Sequence, residues 1–398
     1  MRQGMDMTIN QLPARTWNWL HMNEANLENV TVEAVCPAEA DALEASAGLC
    51  WNDGAVLAHA DAFAAMATGL GSDMTKLVAA AGVKTDVLRS AAGSEAGSFR
   101  IAYEYALGQN ALSSLQLYAE ENSVLTVAVL LKTKAGSTAA AGTASVPAAS
   151  AAAADGGNAS ADLVSSAKAG NSLAAQQIKI YAERGAKVRL YLVQMLDEGA
   201  VCLGDVGGIC EDDASIELVR MEIGAGKLYA GAEIDLAGKR SSFESHIGYR
   251  VKDSQHFDMN YTARHRGKKT ESLMTASGVL EDGAFKLFRG TIDLQHGCAG
   301  AKGTESEDAL LLGDKVVNQT IPLILCGEED VEGNHGASIG RMDEQVLFYL
   351  SSRGLSREAA EQLIARAKLD AVCNRIPLES VREEVQTYLG GASCDEEL

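Results

Sequence analysis

Residues 216–264 read IELVRMEIGAGKLYAGAEIDLAGKRSSFESHIGYRVKDSQHFDMNYTAR. Four short apolar runs, Ile216–Ile223, Leu228–Leu236, Phe243–Arg250 and Phe257–Arg264, are each closed by Gly, Asp, Asn or a basic turn. Runs of this length with such ends are strand signals. The same pattern extends outward: Ile178–Ala182 and Val188–Met195 come before, and Leu273–Leu280, Phe285–Leu294 and Leu310–Val317 come after. Successive runs begin about 10 to 15 residues apart, as in an all-β stack. Nothing between Val188 and Val317 reads as a crossover helix, which argues against a doubly wound α/β sheet. Two architectures remain open at this point, a β-sandwich and a parallel β-helix.

The flanks read differently. Residues 1–85 are expected to form a small helical part: Trp17, Trp19 and Leu20 follow Pro13, and Pro37 to Thr68 is Ala-rich with helical spacing at Leu57, Ala58, Phe63 and Met66. Strands begin near Phe99, so residues 86–330 are expected to be the β core. It is interrupted at about 136–170 by a stretch of Ala, Gly, Ser and Thr that lacks large apolar residues and reads as a flexible insertion. Residues 331–398 are expected to be helical, with Ser356 as an N-cap and two apolar stripes: Leu363, Ile364, Ala367, Ala371 and Val372, then Leu378, Val381, Val385, Tyr388 and Leu389.

With 34 Lys+Arg against 54 Asp+Glu the formal charge is −20. That sign disfavours nucleic acid or an anionic membrane as the main partner. Eight cysteines are scattered without C-x-x-C spacing, which points to free thiols in a reducing cytoplasm rather than a disulfide framework. The first residues lack the apolar segment of a secretory signal, and no stretch reaches the roughly 20 apolar residues of a membrane helix. Gly224-Ala225-Gly226-Lys227 looks like a phosphate loop, but Leu228 stands where Ser or Thr is required. Any nucleotide hydrolysis therefore belongs to another chain.

Several residues carry possible chemistry. Cys298 lies two positions after His296, and on an extended strand the pair would share a face and could share a metal; a small apolar residue filling the interior is the alternative. Cys326 ends an apolar run and is expected to be buried. Glu305, Glu307 and Asp308 form an acidic cluster that could attract iron or could be a solvated turn. His335, in Gly-Asn-His-Gly, reads as an accessible imidazole in a turn, able to ligate iron or to donate to a carbonyl. Glu233, Asp235, Glu244, His246, Asp258 and Asn260 suggest that one side of the strands is wet. Phe348, Tyr349 and Leu350, near Arg341 and Arg353, combine apolar side chains with arginine, as interface centres do.

The stretch from about Gln176 to Gly391 resembles the SufB/SufD family of iron–sulfur cluster assembly proteins, SufD more than SufB. The residues that carry the resemblance are FDMNYTARHRGKKTES (257–272), FRGTID (288–293), AGAKGTESEDALLLGDK (299–315) and EGNHGASIGRMDEQVLFYLSSRG (332–354), with LPARTWNWLHMNE (12–24) near the N-terminus. The resemblance implies a mainly β protein, a right-handed parallel β-helix with helical parts at both ends. It implies a SufC-type ABC ATPase docked on the C-terminal helices, here Arg341 to about Ala371. It also implies a SufB-like subunit, or a second copy, paired through the β-helix, and an iron–sulfur cluster held transiently between subunits. Matched residue by residue, the SufD histidine falls on His335, and the SufB cysteine falls on Glu307. The missing cysteine implies a supporting, non-enzymatic role. A rival reading is a carbohydrate-active β-helix enzyme using Glu233, Asp235 and Glu244, although only 5% of residues are aromatic. A second rival is a structural partner that binds no cluster.

Overall fold

The computed structural model of the chain describes residues 4–16, 20, 22–43, 48–54, 58–95, 97–137 and 172–391. Trp17, Trp19, Leu57, Cys394 and nearly all of the Ala/Gly/Ser insertion lie outside them. The N-terminal part holds β1 (Met5–Ile9), β2 (Ala25–Val30), β3 (Ala34–Val35), β4 (Ala38–Ala42), β5 (Leu49–Trp51), α1 (Ala60–Ala65) and α2 (Ser72–Ala81). The core is β6 (Asp86–Ser90), β7 (Ser98–Tyr105), β8 (Ala111–Ala119), β9 (Val124–Thr133), β10 (Ser172–Ala182), β11 (Lys187–Met195), β12 (Ala200–Cys210), β13 (Ser215–Glu222), β14 (Lys227–Leu236) and β15 (Ser242–Val251). It continues through β16 (His256–His265), β17 (Glu271–Leu280), β18 (Phe285–Leu294), β19 (Ala301–Leu311), β20 (Val317–Cys326) and β21 (Val331–Arg341). Helices α3 (Glu344–Ser352), α4 (Arg357–Cys373) and α5 (Glu379–Gly391) follow.

From β6 on, even-numbered strands pair in parallel in one sheet and odd-numbered strands in the other, in the order in which the chain reaches them. This is a parallel β-helix, one strand of each sheet per coil. Alternate residues point inward, so Ile216, Leu218, Phe243, Ile247, Phe257, Met259, Phe288 and Ile292 fill a continuous interior. Each such side chain contributes about 1.5–3 kcal/mol by leaving water.

One corner repeats. Between even and odd strand, successive coils carry a left-handed residue at Gly93, Asn122, Gly185, Asp213, Arg240, Lys269 and Gly300. Each donates its N–H to a carbonyl one coil on: Gly93 to Glu121, Asn122 to Arg184, Gly185 to Asp212, Asp213 to Lys239, Arg240 to Lys268, Lys269 to Ala299 and Gly300 to Asp330. The Gly, Asp, Asn and basic punctuation in the sequence is this column of corners.

The two outer faces are covered from opposite ends of the chain. β1, β2, α2 and the turn before α2 pack Met7, Ile9, Leu27, Leu70, Met74 and Leu77 against Leu112, Leu203 and Tyr229 of the even sheet. Helices α4 and α5 pack Leu369, Val372, Cys373, Val381, Val385 and Leu389 against Tyr191, Val193, Val219 and Met221 of the odd sheet. Asp258, Asn260 and His246 are therefore buried rather than wet.

The expected boundaries shift. Residues 1–85 are mixed, not helical: β4 pairs with β7, β5 with β6 and β3 with β8, so these segments close the first coil, where an unpaired strand edge would otherwise face water. The β core runs to Arg341 rather than 330, because β21 pairs with β19 over its whole length. In α4 the buried face is Ala360, Ala365, Leu369, Val372 and Cys373, whereas Leu363 is 49% exposed, because α4 turns its Leu363 side away from the sheet. Ser356 does cap α4, its Oγ accepting from the Ala359 N–H at 3.1 Å.

Candidate functional site

The last coil is open. Among the described residues β20 and β21 have no further strand on their outer side, so both present free backbone edges. Their inward-facing side chains are only partly covered. Ile324 is 38% and Ile339 is 45% exposed.

His335 lies in the middle of β21, not in a turn, with Glu305 of β19 as its ladder partner. Local sequence favoured a turn, but the eleven-pair ladder to β19 overrides it. The His335 side chain is 29% exposed, and its Nδ1 meets Glu305 Oε2, while the Glu305 side chain is only 2% exposed. Glu305 Oε1 is buried with no hydrogen-bond partner among the described residues. Burial raises the Glu305 carboxyl above its ordinary range, opposed by the contact with His335. Gly290 makes room for this carboxylate: a Cβ there would lie 2.8 Å from Glu305 Cγ.

Glu307, two residues on and facing the same interior, is saturated. Its carboxylate takes Lys286 Nζ and the Tyr249 hydroxyl at 2.9 Å on one oxygen, and the Thr320 hydroxyl at 2.5 Å on the other. Lys286 spends its remaining donors on Asn318 (2.8 Å) and Thr320 (3.1 Å). The side chains of Lys286 and Glu307 are both fully buried. Asp308, the third acid of the cluster, is exposed and pairs with Lys368 of α4. The expected cluster thus splits into two buried acids with distinct environments and one surface acid.

The expected His296–Cys298 pair does not form. Both lie in the turn between β18 and β19, where Gly297 is left-handed; His296 is 94% exposed and Cys298 is fully buried in the interior. Burial, with Glu328 nearby, raises the Cys298 thiol above its usual pKa, away from ligand chemistry. Cys326, expected to be buried, is exposed because no coil stacks beyond β20; its thiol donates to Glu328 O at 3.2 Å. Among the described residues no three of His, Cys, Asp and Glu gather as a metal site. His335 therefore offers one imidazole nitrogen, and further ligands for a metal have to come from elsewhere.

A second feature follows directly in the chain. Arg341 ends β21 in an exposed ion pair with Asp314 (2.7 Å). Asp343 caps α3, which buries Leu347 but leaves Phe348 77%, Tyr349 55% and Val346 40% exposed. Arg353 lies over the Tyr349 ring at 5.3 Å. These residues leave α3 with an exposed apolar surface beside Arg353, and Leu363 of the following helix is exposed as well. The sugar-enzyme acids are occupied otherwise: Glu233 pairs with Arg264, Asp235 with Arg266, and Glu244, on the other sheet, with His246. Of the residues gathered at the open end, Lys286 is not singled out by the sequence and Glu305 only as one acid of a cluster. The corner of the last coil supplies the missing signal, since Gly300 donates its N–H to the Asp330 carbonyl and the same step along the chain carries Glu305 to His335.

A family model described as the SUF system FeS cluster assembly, SufBD core domain, matches residues 137–368. The chain is 35% identical over 132 residues to the iron–sulfur cluster assembly protein SufD of Bacillus subtilis, covering 33% of this chain and 30% of that protein. It is 28% identical over 217 residues to a chloroplastic iron–sulfur cluster assembly SufBD family protein of Arabidopsis thaliana (52% and 39%). It is 26% identical over 212 residues to SufB of Bacillus subtilis (52% and 45%). These alignments span less than half the length of each relative. With the core-domain match extending over more than half of its length and the fold a parallel β-helix, the chain belongs to the SufB/SufD family of the SUF iron–sulfur cluster assembly system.

Proposed function

We propose that the chain is a SufD-like, non-enzymatic component of a cytoplasmic SUF assembly complex. It pairs through its open last coil with a SufB-like chain or a second copy, and it offers α3 and the Leu363 side of α4 to a SufC-type ABC ATPase. An iron–sulfur cluster is its cargo, held transiently with the partner, and His335 supplies one ligand.

The observation that carries this reading is the open coil with His335 on its edge strand, joined by two residues to an exposed apolar helix. Free strand edges are templates for pairing with another chain. The Glu at position 307, pinned by Lys286, supports a role in which thiolates come from the partner. The occupied acids Glu233, Asp235 and Glu244 leave the sugar-enzyme reading without a free carboxylate pair. The acidic surface, −20 overall, supports neither a nucleic-acid nor a membrane partner, and no helix among the described residues is long and apolar enough to cross a membrane.

The test is anaerobic co-expression with the ATPase and SufB-like chains of the same organism, followed by affinity purification and iron and sulfide analysis. Phe348→Glu is expected to lose the ATPase while keeping the β-helix partner. His335→Ala is expected to keep both partners and lose cluster delivery. Purification of the chain alone under these conditions would refute the proposal.

A further inference from the structure

We propose that Glu305 is the positioning residue of His335: its buried carboxylate accepts the hydrogen bond from Nδ1–H and so turns the Nε2 lone pair toward the open end of the β-helix. This deepens the functional reading above and rests on it.

Three observations carry the assignment. Glu305 Oε2 contacts Nδ1, leaving Nε2 as the only ring nitrogen available outside the chain. The tautomer of a ligating histidine is set by what its other nitrogen meets, commonly a carboxylate. Second, the contact is built from three strands: Glu305 on β19, His335 beside it on β21, and Gly290 across the interior on β18, where any Cβ would meet the carboxylate. Third, Glu305 is a poor structural device. Its neighbour Glu307 holds three donors, whereas Glu305 keeps one oxygen buried without a partner among the described residues. A buried carboxylate so sparsely paired costs stability, and its removal leaves no trapped charge, because His335 can reach water.

The two roles separate in one set of variants of the full chain. Glu305→Met removes the acceptor at nearly constant volume, Glu305→Gln keeps an acceptor oxygen, and Gly290→Ala crowds the carboxylate without altering either group. Nitrogen-15 NMR of labelled histidine reads the His335 tautomer. A pentaammine–aqua ruthenium(II) complex, with one exchangeable site, reads the availability of Nε2. The wild type is expected to show Nδ1–H alone and to take ruthenium on Nε2. Glu305→Met and Gly290→Ala are expected to show both tautomers and about 10- to 100-fold weaker metal binding, the range for loss of such a partner. Glu305→Gln is expected to retain the wild-type tautomer. The melting temperature of Glu305→Met is expected to equal or exceed that of the wild type.

An Nε2–H tautomer in the wild type, or a Glu305→Met tautomer unchanged from it, overturns the assignment. A melting temperature lowered by Glu305→Met with unchanged metal binding also overturns it, in favour of a structural role. Cluster delivery unaffected by His335→Ala would instead refute the functional reading while leaving the tautomer result intact, so the two failures are distinguishable.

Discussion

Replacing Lys286 with Met tests how the end of the β-helix is held together. The Lys286 and Glu307 side chains are fully buried, and the ammonium gives its three donors to Glu307, Asn318 and Thr320. Methionine fills much of the same volume, so the cavity contribution is small. What remains is Glu307, buried with two neutral donors, Tyr249 and Thr320. Breaking a buried pair in this way costs about 3–5 kcal/mol. Lys286→Met is therefore expected to lose about 3–5 kcal/mol at pH 7, read from urea unfolding with an unchanged slope. The double variant Lys286→Met/Glu307→Gln should return to within about 1 kcal/mol of wild type, because the amide still meets Tyr249 and Thr320 without a charge. A single variant within about 0.5 kcal/mol of wild type, or a double variant no more stable than the single one, would show that the pair is not the buried device described.

Acid should weaken the fold through His256 and His265, both pushed down to about 4 by burial. Each favours the neutral form when folded, so its contribution is complete above the unfolded pKa of about 6.5 and is lost as pH falls toward 4, at most about 3 kcal/mol apiece; His265→Asn should flatten that part of a stability–pH curve. Asp205 has the opposite sign. Burial raises it to about 6, against the Leu70 N–H and Gln177, so its penalty is absent below about 4 and grows as pH rises to 6, reaching about 3 kcal/mol. In Asp205→Asn the stability loss between pH 4 and 6 should disappear from the denaturation profile. At the corners, Gly185→Ala should cost about 1–2 kcal/mol, since its φ is +69° and a Cβ would lie 2.2 Å from Asn122 Oδ1, while Lys269→Gly at the equivalent corner should change stability by less than about 1 kcal/mol in thermal melts.

Strands such as β14, β15 and β16 were legible in the sequence because turn residues bracket apolar alternation. Strand β12 was not, because its glycines hide it: Gly204 leaves room for Arg220 Nη2, Gly207 for the Ala67 carbonyl and Gly208 for Ile216 and Ile234. The same holds for β21, whose Gly333 sits against Ile324, so that a Gly-Asn-His-Gly string forms a strand through tertiary pairing. The N-terminal segments looked helical because they are rich in Ala, yet strand edges of the first coil recruited Ala38–Ala42. His335 was reachable by resemblance. Glu305 was visible only as one acid among three, since its role depends on a neighbour thirty residues away that local pattern does not reveal.

The connection between the patch on α3 and His335 bears on how an attached ATPase could act. Helix α4 is fastened to the odd sheet by Leu369, Val372 and Cys373 and tied to β19 by Lys368 and Asp308. Helix α3 has one buried residue, Leu347, and its link to the sheet is Met342 and Asp343, which lead straight into β21. The Arg341–Asp314 pair beside that link is exposed on both sides and holds little. Strand β21 has no fully buried residue and is held by backbone pairing to β19 with few side-chain contacts, chiefly His335–Glu305 and Lys302–Glu332, so it belongs to the least stable end of the solenoid. Six residues, about 20 Å of strand, separate Arg341 from His335. On the proposed reading, a displacement of α3 by a bound ATPase therefore reaches the His335–Glu305 contact along one strand, while α4, joined to α3 by the exposed Arg357–Glu344 pair, is held to the core by its own buried face.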